Sequence, residues 1–293
     1  VDTVTARPAA TGTGQAAFER GGALVRPAVA LGELVRRRPA GVTAHQWSTA
    51  LRTRFAYVVY AGAAPAFAAD LRAPGGRAAE QTRTDRLTGA VCAAAGLALL
   101  RVTGAALGTV AARRRVVEYV LDARAYQAVT ARLGQSSGVQ PGTDGYTEPV
   151  GYRDIQGRLP DGRTGPVNDL GALARAQAIE AYADRRLADP IIRNLHVTWP
   201  DGSAEGWAWL RPRAAEYLLE RAVVASAGVA TGLAPDRLAQ DLATAAIGAH
   251  LARLDAADLP LVPRDRLAAD FDGLRARQRR EGCDFRFDHV TFD

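Results

Sequence analysis

A chain of 293 residues, 48% apolar and 23% charged, has enough surface to bury one large core or two ordinary ones. It contains no lysine: all 37 basic residues are arginine, and 31 carboxylates leave a formal charge of +6. That absence excludes P-loop nucleotidases, protein kinases and pyridoxal-phosphate enzymes, each of which needs a lysine amine at phosphate or in a Schiff base.

Arginine cannot stand in for that amine, because it stays protonated. Cys92 and Cys283 are far apart, and His45, His196, His250 and His289 are scattered. With no CxxC and no HExxH, neither a metal site nor a cofactor is expected. Alanine, arginine, glycine and valine in place of lysine and methionine is the usage of GC-rich coding sequence. No charged segment followed by an apolar one opens the chain, so a cytoplasmic location is expected.

In chain order, Ala23 to Arg38 reads as a helix that stops before Pro39-Ala40-Gly41. Thr43 caps a second helix with Ala44, Trp47, Leu51 and Phe55 near one face. Thr84 to Leu133 runs some fifty residues without proline and reads as one long helix, or as two broken near Gly104 and Gly108. Within it, 89–112 is long enough to span a bilayer. Its leucines and valines favour insertion by roughly 3 kcal/mol, and Arg101 near the middle costs about the same. A membrane-associated protein using residues 55–112 therefore ranks below a buried helix.

Residues 134–165 are rich in glycine, proline and turn-formers, and read as a long loop or linker. Gly134-Gln135-Ser136-Ser137-Gly138 spells GxSxG, but a nucleophile elbow needs a preceding strand, and a helical stretch stands there instead. A helix capped by Asn168 or Asp169 is expected through Arg186, with Leu173, Ala176, Ile179 and Tyr182 on its apolar face. Ile191 to Trp199, Pro200-Asp201-Gly202-Ser203 and Trp207 to Leu210 read as a β-hairpin. Helices are expected at Arg213–Gly228, Pro235–Leu254 and Arg264–Gly282, and a strand from Cys283 to the end.

The expected fold is mainly α: a helical region over 1–133, the connection at 134–165, and an α+β region over 166–293 with a small antiparallel sheet. The leading functional expectation is a non-catalytic binding or assembly protein. It would meet nucleic acid or another polyanion through Arg36, Arg37, Arg38, Arg113, Arg114, Arg115, Arg275, Arg277, Arg279 and Arg280. A second copy of the chain is the other partner this composition admits. The competing expectation is an enzyme with its site in the 144–161 loop or between the strands carrying His196 and His289, near Asp201, Asp284 or Asp288.

Overall fold

The computed structural model describes residues 17–75, 78–137, 156–158, 164–166, 170–229, 234–256, 258–283 and 285–287. The chain divides into two compact units, Val1–Val102 with Ser226–Ala230, and Thr103–Ala225 with Thr231–Asp293.

In the first unit the elements run β1 (Phe18–Arg20), β2 (Ala23–Ala30), α1 (Leu31–Leu34), α2 (Ala44–Ala50), β3 (Arg54–Ala61), β4 (Ala64–Arg72), α3 (Ala78–Ala94) and β5 (Leu99–Gly104). The strands lie in sequence order, and β1 through β4 are paired antiparallel. Gly62, with φ of +62°, sits first in the two-residue link between Ala61 and Ala64, where a type II′ turn needs positive φ. The expected capping box at Thr43 is present: its Oγ1 accepts from the Gln46 amide at 3.2 Å, and Gln46 Oε1 accepts from the Thr43 amide at 2.7 Å. Helices α2 and α3 pack together over a core that includes Phe55, Val58, Val91, Cys92 and Leu99.

The second unit begins with a 3-10 turn at Ala105–Leu107 and α4 (Val110–Ser137). It continues through β6 (Gln156–Arg158), β7 (Thr164–Pro166), α5 (Ala172–Ala183), β8 (Arg193–Thr198), β9 (Ala204–Arg213), β10 (Glu216–Ala227), α6 (Pro235–Leu251), β11 (Leu261–Pro263), α7 (Arg264–Glu281) and β12 (Phe285–Phe287). Its strands lie in the order β10-β9-β8-β12, with β11 beside β10 and all pairs antiparallel. The Pro-Asp-Gly turn forms as expected, with Gly202 at φ +77° and the Gly202 amide donating to Trp199 O at 2.9 Å.

Period-two alternation gives this sheet two faces. Leu195 and Val197 of β8, Trp199 just after it, and Trp207 and Trp209 of β9 pack with Leu267, Phe271 and Leu274 of α7. The intervening residues Asn194, His196 and Gly206 meet α6. At Gly206 the approach is so close that a Cβ would lie 2.2 Å from the backbone carbon of Ala239.

The mainly-α expectation is wrong. Among the described residues 31% are strand and 43% helix, which makes the protein a sheet-rich α/β fold. Ala23 to Arg38 is β2 followed by one helical turn, and Arg213–Gly228 is mostly strand β10. The expected Thr84–Leu133 helix is α3, β5, the 3-10 turn and α4. These misreadings share one cause. Alanine favours helix, but here it serves as the small inward residue of buried strands: Ala68, Ala69, Ala208 and Ala222 are each at most 1% exposed.

Residues 89–112, the expected span, are the end of α3, β5, the 3-10 turn and the start of α4. Phe55–Ala69 lies within the β3–β4 hairpin, and no helix among the described residues is long and apolar enough to cross a membrane. On α5 the expected face is inverted: Ala174, Ala178 and Ala181 are buried, while Leu173, Ile179 and Tyr182 are half exposed or more. Substituting Gly206 by alanine should cost at least about 3 kcal/mol, because helix backbone, not a flexible side chain, occupies the Cβ position. Urea unfolding of the variant measures this.

Candidate functional site

Because a guanidinium keeps its charge, each arginine is either balanced by an acceptor or left facing solvent. The ten arginines of the sequence expectation divide on that criterion. Arg36, Arg37 and Arg38 are exposed on the connection between α1 and α2, and no described residue forms a hydrogen bond or ion pair with their side chains. Arg113, Arg114 and Arg115 fall at the start of α4, not at the C-terminal helix end where the dipole favours cations. There, Arg113 Nε donates to Thr109 O at 3.3 Å and Arg114 Nε to Glu118 at 2.8 Å.

Of the α7 arginines, Arg277 is structural. It stacks 3.7 Å over the Trp199 ring and donates to Glu205 at 3.2 Å and Glu281 at 2.9 Å. Glu205 also accepts from the indoles of Trp199 and Trp207, so α7 is fastened to the sheet through one carboxylate. Arg275 lies 3.8 Å from Asp272 and Arg280 3.6 Å from Glu281, whereas Arg279 is exposed without a described partner.

Charge is unevenly shared between the units. Residues 17–102 carry 12 arginines against 5 carboxylates, a net +7, and the rest of the chain carries 25 against 26. Arg52, just after α2, and Arg86 of α3 are also exposed and without a partner among the described residues, and Arg83 of α3 meets His45 of α2 at 3.2 Å. The α2–α3 pair thus presents a cationic surface that the pairing pattern alone identifies.

Asp85 of α3 and Asp70 of the adjoining strand are already engaged. Asp70 and Arg72 project from the same face of β4, Asp85 comes from α3 and Arg101 from β5. Arg72 Nε donates to Asp70 at 2.7 Å and its Nη2 to Asp85 at 2.8 Å, while Arg101 Nε donates to Asp70 at 3.2 Å. Two carboxylates and two guanidiniums balance, which ties α3 to the sheet. Beside them, burial, aided by Asp70 and opposed by Arg101, pushes the Cys92 thiol up to about 11, so it stays protonated and inert.

The histidine expectation lands differently. β12 pairs with β8, placing Arg286 opposite His196, but His289, Asp284 and Asp288 lie outside the described residues, as does most of 144–161. Asp201 is engaged by Ser203, whose hydroxyl and amide donate to it and hold its carboxyl below the usual range. His196 is buried and donates from Nδ1 to Gln240 Oε1 at 2.6 Å, Gln240 in turn donates to Asn194 at 2.8 Å, and His196 Nε2 lies 3.4 Å from Asp236. Nearby, Tyr119 OH donates to the buried Asp241 at 3.0 Å.

The His196, Gln240 and Asn194 side chains bond one another beneath α6 and join it to the sheet. No group of three His, Cys, Asp or Glu among the described residues is placed to hold a metal. What the sequence reading missed was this polar row, whose one available signal was Gln240, Asp241 and Thr244 on the otherwise apolar side of α6.

Two outcomes are expected from these ion pairs. Asp70→Asn, which leaves two largely buried guanidiniums short of a carboxylate, should destabilise by about 2–4 kcal/mol in urea titrations. At Asp189, burial raises the carboxyl, but the Ile191 amide, the Arg193 guanidinium and the charge of Arg211 outweigh it, and its pKa is depressed in the folded state. Its contribution is therefore complete above the unfolded value of about 3.9 and is lost as pH falls through the lower folded value. Asp189→Asn should flatten the fall in stability below pH 4, as read from denaturant midpoints between pH 6 and 2.

No protein-family model matches the chain, and no curated protein or solved structure is detectably similar to it.

Proposed function

We propose that this is a non-catalytic binding protein that contacts nucleic acid or a similar polyanion through the arginine surface around α2 and α3. The observation that carries the reading is the excess of seven positive charges in residues 17–102, with Arg36, Arg37, Arg38, Arg52 and Arg86 exposed and without a partner among the described residues. Solvated charges of one sign attract a polymer of the opposite sign, and release of its counterions supplies the free energy. Few aromatic side chains accompany these arginines, so the contact is to backbone phosphates or sulfates and not to stacked bases. A cytoplasmic setting, where nucleic acid is the abundant polyanion, goes with this reading.

The test is fluorescence anisotropy with a labelled duplex oligonucleotide, titrated across a range of salt. Affinity should fall steeply with salt, and replacing Arg36, Arg37 and Arg38 together by glutamine should reduce the slope of log K against log salt by about 2 to 3. The same triple change at Arg275, Arg279 and Arg280 should leave the slope nearly unchanged. Binding insensitive to salt, or equal losses from the two sets, would overturn the proposal.

A further inference from the structure

On the exposed side of the α2–α3 pair, Arg83 Nη2 donates to His45 Nε2 at 3.2 Å. An imidazole accepts at that nitrogen only while it is neutral, with its proton on Nδ1. Once protonated it carries two N–H donors and no acceptor, and its contact with a guanidinium becomes repulsive. No described carboxylate lies within ion-pair distance of the His45 ring to offset that repulsion. Besides Arg83, the charged side chains described on α3 are Asp85, which is turned to Arg72 and Arg101, and Arg86. On α1, Glu33 accepts from the Ala30 amide, and the connections flanking α2 carry Arg36, Arg37, Arg38 and Arg52. His45 is the only histidine in residues 17–102, and the Cys92 thiol of α3 stays protonated at neutral pH.

We propose, on the reading that this surface binds a polyanion, that His45 and Arg83 form a proton-dependent part of it. The neutral imidazole holds Arg83, whereas a protonated His45 releases it and both contact phosphate. A bound polyanion favours the charged imidazole, so the complex takes up a proton and affinity rises as pH falls. The dependence belongs between pH 8 and 5, where histidine as a residue type changes charge. One added phosphate contact steepens the slope of log K against log salt by about 0.9, and two by about 1.8.

Anisotropy titrations of the labelled duplex with the full chain at pH 8 and pH 5.5, each across a range of salt, test the link. At 0.15 M salt binding should be roughly 5- to 30-fold tighter at pH 5.5, with a slope steeper by about 1 to 2. Calorimetry at pH 7 in buffers of different ionisation enthalpy should show net proton uptake on binding. His45→Gln, whose amide cannot take a charge, should remove most of both effects. His196 and His250 are kept in that variant, so a pH dependence of theirs would survive it. Salt-steep binding with equal affinity at the two pH values, or a pH dependence undiminished in a folded His45→Gln protein, would overturn the proton link alone. Binding without salt dependence at either pH would overturn the polyanion reading and the link with it.

Discussion

A guanidinium cannot give up its proton, and in this chain it is the only basic side chain present. Every arginine that folding brings below the surface has to find an acceptor, and the ion-pair pattern follows from that. In the first unit Asp70 and Asp85 divide themselves between Arg72 and Arg101, joining a helix to two strands. In the second, Asp189 answers Arg193, Asp270 answers Arg221, and Glu205 gathers Arg277 with two indoles. Once Asp70 and Asp85 are engaged, residues 17–102 still hold 12 arginines against 5 carboxylates, an excess of seven positive charges.

The same arithmetic separates structural from available cations, which sequence runs alone do not. Arg277 and Arg36 look alike as members of basic clusters, yet one is stacked on Trp199 and bonded to two carboxylates while the other has no described partner. A run of arginines is therefore weak evidence for a binding surface until the acceptors around it are known.

How much of this was legible in the residues depended on whether the signal was local. The Thr43 capping box, the Pro-Asp-Gly hairpin and the starts of α6 and α7 could all be read, because each is set by a few neighbouring residues. The sheets were misread because their buried positions are so often alanine, whose helix preference outweighs a faint two-residue alternation. On α5, an alanine row and a row of larger apolar residues offered two faces, and close approach to Gly248 selected the small one. The glycine at 206 matters in the same way: it lets α6 lie directly on the sheet and bury His196 with Gln240, and nothing in its neighbours announces the contact.

The most direct test of the account is hydrogen–deuterium exchange on the full chain with and without a short duplex oligonucleotide. If the unpaired arginines of the first unit form the binding surface, protection on binding should concentrate in the connection before α2, in α2 and in the first turns of α3. Protection confined to the second unit, where charge is nearly balanced, would contradict it.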